Sequence, residues 1–362
     1  MLPPGGEMGP SSRNRARRRA EPKSKFLSLG GNPLKTKQNR VLVRLLVIAM
    51  CGAVAFLTSC ARKGPTEDFK IKVGYKANSG FQNFLIAQEK DICGKHGVQV
   101  EGVTFESTDL MMQALALGQI DATPAGSIEV VAAMEEKAPD TANAYLTLVF
   151  TKDSPYYTVL VPKDSPIQSL ADLKGKKVGT NPGSTAKLWL QFCLKQVTDP
   201  ATVQIVPLQH QLQLQALSAG EIDALYTGDP LVTIAQVKGI ARVLVRGPEN
   251  QYMFDPMATG VGVLSSRFTK AKPETARRFI AAMNEVTDFM RKNEKEARSV
   301  IAKRAKLDAE VADRMDLLHY WKLSETQFPL VQKYLDYLRN EGILKTQIKA
   351  EDIYLPQEWA TK

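Results

Sequence analysis

From residue 70 onward, apolar side chains follow two alternating rhythms. Short blocks with the density of buried strands, 71–75, 98–105 and 144–150, are separated by stretches whose apolar positions recur at helical spacing, 81–90, 110–117 and 128–137. The same grammar then returns. A strand leading into a loop at 180–185, a helix over 186–197, a strand over 203–206, a helix running through Leu217 and a helix over 231–238 repeat the order of the first set. The run QLQLQ at 211–215 alternates with period two and by itself suggests a strand, but the repeat register places it on a helix.

The repetition can be followed residue by residue. ALALGQIDATPAG at 114–126 and ALSAGEIDALYTG at 216–228 are identical at seven of thirteen positions, KIKVGYKANSG at 70–80 aligns with GKKVGTNPGST at 175–185, and VQV at 98–100 falls on VQI at 203–205. Three matches in one order at nearly one offset mark a duplication. Each copy predicts a helix ending at a glycine cap, Gly118 or Gly220, then a short strand, 120–122 or 222–225, then a loop. The fold class expected is α/β, with two βαβ lobes over 69–157 and 158–262. Two β-rich segments, 156–161 and 260–264, bracket the second copy and are the expected two-strand hinge. Over 263–362 the chain returns to lobe one with three helices, 273–306, 309–320 and 325–340. Pro273 suits a first helical turn, and the stripe Phe279, Met283, Val286 and Met290 suits packing on lobe one.

Charge changes the picture only once it is located. The chain carries +10 over 362 residues, yet residues 1–59 hold eleven Lys/Arg against Glu7 and Glu21, which leaves the remainder near neutral. A nucleic-acid footprint needs basic residues clustered on the folded part, so that class is excluded. Residues 1–40 are rich in Arg, Pro, Gly and Ser without apolar periodicity, and are expected to be a disordered tail or to precede the true translation start near Val41. Thirteen apolar or small residues at 45–57 follow Arg40 and Arg44 and run into Ser59 and Cys60. That block is too short for a bilayer, which takes about 20 residues, and fits the core of a secretion signal over 41–59. LTSC at 57–60 resembles the bacterial lipobox, which implies lipidation of Cys60 and a membrane anchor, with 60–68 as a tether. Cys93 and Cys193 remain in different lobes, where two unpaired thiols are expected in preference to a disulfide. His96, His210 and His319 are scattered, and no metal, catalytic or cofactor motif is present in the chain.

The order VGY, AQEKD, ALALGQIDA, IQSLADLKGKKVGTNPGST and ALSAGEIDALYTGDP resembles the extracytoplasmic substrate-binding proteins of ABC importers for sulfonates, taurine, nitrate or thiamine-precursor pyrimidines. The resemblance covers roughly 69–345. It implies a type II periplasmic binding protein fold, a cleft closing on one small molecule, no catalysis, no cofactor, an ABC permease as partner, and an extracytoplasmic monomer. An enzyme or a sensor domain on the same fold is the less favoured alternative.

Candidate ligand residues follow from the repeat. Ser79 and Ser184 stand at equivalent strand-to-helix turns, where each either caps a helix or helps hold an anion at its N-terminus. Gly80, Phe81, Gly183 and Thr185 flank them. Beyond the two IDA phrases, Thr123 and Ser127 in the first copy and Tyr226 and Asp229 in the second are expected at the cleft, with Asp229 either accepting from a ligand amine or capping the next helix. Phe81, Tyr156 and Tyr157 are candidate apolar walls, with core or hinge packing as the alternative role for each. Lys76 is the only basic residue in these loops, which disfavours a multiply charged ligand.

Overall fold

The computed structural model describes residues 68–76 and 79–360. The expected secretion signal, the expected lipidation site Cys60 and the basic tail lie outside the described residues. Two sheets organise the rest. Sheet one contains β1 (Lys70–Tyr75), β2 (Gln99–Thr104), β3 (Ala122–Ser127), β4 (Ala142–Phe150), β10 (Met257–Ser265) and β11 (His319–Lys322), in the order β11-β4-β10-β3-β1-β2. Sheet two contains β5 (Thr158–Pro162), β6 (Lys177–Thr180), β7 (Gln204–Pro207), β8 (Ala224–Thr227) and β9 (Ala241–Arg246), in the order β7-β6-β8-β5-β9. Each sheet has a parallel trio, with β1 between β2 and β3 and β6 between β7 and β8, extended by an antiparallel strand: β10 beside β3, β5 beside β8.

The helices used below are α1 (Gln82–Glu89), α2 (Thr108–Ala116), α3 (Ile128–Lys137), α4 (Ser184–Lys195), α5 (Gln213–Ser218), α6 (Leu231–Val237), α7 (Pro273–Lys292), α8 (Glu294–Ala305) and α9 (Phe328–Asn340). The register decision on 211–215 holds, since α5 begins at Gln213.

The repeated residues are structural. Asp121 and Asp223 each accept a hydrogen bond from a strand's backbone, at Lys72 N (2.9 Å) and Lys177 N (2.8 Å), and thereby pin β1 and β6 at the same place. Gly118 and Gly220 adopt φ of +68° and +71°, the left-handed cap that a side chain resists. At Gly74 and Gly179 an added Cβ would lie 2.5 Å from Cδ1 of Ile120 and Ile222 respectively, so the two IDA isoleucines pack on bare backbone.

Several expectations need correction. The strands of the IDA phrases start later than predicted, and TPAGS at 123–127 is strand rather than loop, because β10 pairs along it. The segment 260–264 is not a crossing: β10 lies wholly in sheet one, and the chain leaves sheet one after Phe150 and returns between Arg246 and Met257. The two crossings are joined by a bond from Gly247 N to Tyr157 O (3.0 Å). The helix expected over 273–306 breaks at Asn293, which leaves helical geometry at φ −134°. The helix expected over 309–320 ends at Arg314, and His319–Lys322 instead forms edge strand β11 against β4.

Packing follows the expected stripe. Phe279, Met283, Val286 and Met290 of α7 are buried, with Phe279 edge-on to Tyr145 of β4 at 5.8 Å. Cys93 and Cys193 are buried and unpaired, as expected. Among the described residues no helix is long and apolar enough to cross a membrane.

Candidate functional site

The carboxyl ends of β1, β3 and β6 converge, and the N-terminus of α4 faces them from lobe two. Between them lies a cavity of about 40 Å³ walled by Lys76, Thr108, Ser127, Tyr156, Asn181, Gly183, Thr185 and Trp189, among others. That is room on the order of one water molecule, so the two lobes are in contact around the cavity.

Three contacts join the lobes at its rim. Ser127 at the end of β3 and Thr185 in the first turn of α4 share a hydroxyl–hydroxyl bond of 3.0 Å. Asp109, in the first turn of α2, accepts from both the backbone N–H (2.9 Å) and the hydroxyl (2.7 Å) of Ser184. A carboxylate of lobe one thus sits on the helix N-terminus of lobe two, where the unpaired N–H groups and the helix dipole favour negative charge. On the far side, Asp229 accepts from Thr233 N (3.0 Å) and Thr233 Oγ1 (2.8 Å) and also from Asp316 N (2.6 Å), while Arg246 pairs with the Asp316 carboxylate at 2.9 Å.

Lys76 is the charged group of the cavity. Its ammonium donates to Thr108 Oγ1 (2.8 Å), and burial lowers its pKa to about 8, opposed by the nearby Asp109 carboxylate. Opposite it stands Asn181, whose amide accepts from Gln213 (2.8 Å) and donates to the Tyr157 hydroxyl (3.3 Å).

Aromatic rings close the inner end. Phe150, Tyr156, Tyr157 and Tyr226 form a ladder with successive centroid separations of 4.7, 4.6 and 4.4 Å, and Trp189 packs edge-on to Phe150, Tyr156 and Tyr157. Trp189 Nε1 donates to the Tyr334 hydroxyl (2.8 Å), which in turn donates to Glu129 at the start of α3 (3.3 Å), so α9 ties lobe two to lobe one behind the cavity. Burial raises the Glu129 carboxyl pKa, opposed by hydrogen bonds from Thr185 and from groups around it.

The structure sorts the expected residues into two groups. Phe81, Ser127, Tyr156, Gly183 and Thr185 line the cavity, as does Tyr157; Gly80, Thr123, Ser184, Tyr226 and Asp229 are not among its walls. Ser79 lies in a single 3-10 turn that precedes α1 and does not occupy its N-cap position, which is Phe81. Ser184 is the first residue of α4 rather than its cap; Gly183 precedes it at φ +113° and Asp109 supplies the acceptor. Thr123 is turned inward, its hydroxyl bonded to Ala125 O. Tyr226 is buried in lobe two and donates to Glu249, whose carboxyl is raised to about 8 by burial. Asp229 performs the capping role and adds the bond to Asp316.

Sequence reasoning missed Thr108, Phe150, Asn181 and Trp189 as walls. Asn181 was within reach, because the repeat alignment places it on Lys76. Trp189 gave no signal, since it lies on the apolar face of α4 like any core residue. Among the described residues no group of three His, Cys, Asp or Glu side chains is placed to hold a metal.

A model of the family described as NMT1/THI5 like matches residues 78–297, more than half of the chain. The chain belongs to the NMT1/THI5-like family. Among its relatives, a Bacillus subtilis (strain 168) protein named as an aliphatic sulfonates-binding protein is 26% identical over 278 residues, 74% of this chain and 81% of that one. Two solved structures place the fold. The alkanesulfonate-binding protein SsuA from Xanthomonas axonopodis pv. citri, solved bound to MOPS, has a TM-score of 0.66 at 20% identity, covering 80% of this chain and 99% of that one. The desulfurization enzyme DSZB has a TM-score of 0.57 at 15% identity, covering 80% of this chain and 97% of that one. The α/β architecture with two sheets and a helical C-terminal region is therefore that of periplasmic binding proteins, and the desulfurization enzyme DSZB shares that fold.

Proposed function

We propose that this protein binds one small organic acid between its lobes, without chemical change, and delivers it outside the cytoplasm to an ABC import permease. The observation that carries this reading is the half-buried Lys76, whose ammonium loses hydration in a cavity at the carboxyl ends of the strands of both lobes. A single cation fits a monoanion or zwitterion such as a sulfonate or taurine. The sulfonate name of the Bacillus subtilis relative supports that class. Phe81, Ser127, Tyr156, Gly183 and Thr185, with Lys76, Thr108 and Asn181, are the residues assigned to ligand contact. Lipidation of Cys60 would hold the binding protein at the membrane beside its permease.

The mechanism is a population shift. The pivot lies at the two joined crossings, and ligand entry separates the rim contacts Asp109–Ser184 and Ser127–Thr185. A second reading, an aromatic or pyrimidine ligand, is favoured by the ring ladder at the inner wall. A thermal-shift screen over alkanesulfonates, taurine, nitrate, aromatic carboxylates and pyrimidine precursors separates the two, because a tight ligand raises the melting temperature by mass action. Consumption of the bound compound by purified protein would replace transport with catalysis.

A further inference from the structure

We propose that the ligand of this protein is a hydroxylated organic acid. Its acid group pairs with Lys76, and its hydroxyl-bearing body lies in a polar compartment of the interlobe seam outside the central cavity, where it bonds Glu106, Gln209 and His210. This rests on the reading of the cleft as an acid-binding site, and it departs from the aliphatic class in the name of the Bacillus subtilis relative.

Lys76 belongs to the walls of two cavities. The inner one is the space of about 40 Å³ described above. The outer one has about 310 Å³, room on the order of ten water molecules, so the bulk of a ligand held by Lys76 has its space there. Its other polar walls are Glu106 from lobe one and Asn181, Gln209, His210 and Gln211 from lobe two. Phe105 and Pro182 are its apolar members, one from each lobe, and offer contact to the carbon chain of a ligand.

The polar walls already meet across the seam. Gln211 Nε2 donates to Gln209 Oε1 (2.8 Å), and Gln209 Nε2 stands 3.5 Å from Glu106 Oε1, so a chain of side chains runs from lobe two to a carboxylate of lobe one. Between the two glutamines in sequence, Nδ1 of His210 is buried without a partner. Burial, together with the Lys76 charge, lowers the His210 pKa to about 4, so the ring is neutral, with one nitrogen donating and the other accepting. A hydroxyl suits all of these groups, because it donates to Glu106 and either donates to or accepts from the imidazole. An alkyl segment in the same place would take water from the carboxylate, the amides and the imidazole and return no bond, which costs free energy at each group. Both lobes supply partners, so a hydroxylated body favours the closed form by bonds made only there.

Calorimetric titration of the intact protein with acids matched in length and head group tests this: dihydroxypropanesulfonate against propanesulfonate, isethionate against ethanesulfonate, and gluconate against hexanoate. The hydroxylated member should bind tighter, by about fivefold for each hydroxyl that gains a partner. Glu106→Ala and His210→Phe should each reduce that ratio. Should His210→Phe lower the melting temperature, Glu106→Ala carries the test, since Glu106 is exposed. A ratio near one, or a preference for the plain acid, overturns the compartment and leaves the acid-binding reading intact. A ratio that both variants leave unchanged also overturns it, since the hydroxyls would lie elsewhere. Tighter binding of taurine than of isethionate, which differ only in an ammonium against a hydroxyl, overturns it in favour of a charge pair with Glu106. Failure of the whole series to bind overturns both readings.

Discussion

The two lobes are copies in their frames and opposites at their edges. At the frame, Asp121 and Asp223, Gly74 and Gly179, Gly118 and Gly220 perform matched tasks with nearly equal geometry. At the cleft the matched positions diverge: Lys76 aligns with Asn181, so one lobe brings a cation and the other a neutral amide to the same cavity. Ser127 aligns with Asp229, and both reach across the molecule, the first to Thr185 and the second to Asp316. Backbone-bound residues are constrained by packing that duplication preserves, whereas side chains past the strand ends are free to specialise.

The buried acid of lobe two provides the largest measurable effect. Glu249 keeps its proton in the folded protein up to about pH 8, while the unfolded chain releases it near the ordinary glutamate value. Stability should therefore fall as pH rises between those values, by up to about 1.4 kcal/mol per pH unit, and Glu249→Gln should flatten that slope. Chemical denaturation across pH 5–9 checks it; parallel curves for parent and variant would refute the assignment.

The asymmetry of Lys76 and Asn181 comes next. Lys76→Met should cost on the order of tenfold to a hundredfold in affinity for the best acid of the screen, the worth of a charged hydrogen bond, while raising the melting temperature because a desolvated charge is removed. Asn181→Ala should cost less, and equal losses would erase the distinction between the lobes. In the parent, acid affinity should hold below about pH 8 and decline above it, as free Lys76 loses its proton.

The symmetry of the frames is tested by Gly74→Ala and Gly179→Ala. Each should destabilise by about 1–3 kcal/mol through overpacking on its isoleucine, and Ile120→Val or Ile222→Val should recover part of the loss. The smallest effect is expected at the rim. Asp109→Asn keeps one acceptor for Ser184 but loses the charge at the α4 N-terminus, a change of about 1 kcal/mol that small-angle scattering would register as a larger share of open molecules.

The repeated words made the frame legible, because a glycine cap and a strand-pinning aspartate leave a local trace. What the sequence concealed was non-local. HYWK at 319–322 reads as the end of a helix until β4 offers it an edge, and 260–264 reads as a crossing until β3 and β4 enclose it. Asp109 looks like an ordinary first-turn acid, and only the opposing lobe turns it into the acceptor for Ser184. Tyr226 and Asp229 stand next to the cleft in sequence, yet their side chains are turned to Glu249 and to Thr233 and Asp316.

In sheet two, Thr158 of β5 is paired with Arg246 of β9, so the segment that enters lobe two and the segment that leaves it are adjacent rungs of one ladder. An insertion whose ends meet behaves as a cassette. Residues between those rungs could be exchanged for another lobe without lengthening the chain of the first, which is a route by which one scaffold acquires a new cleft wall while its own frame stays fixed.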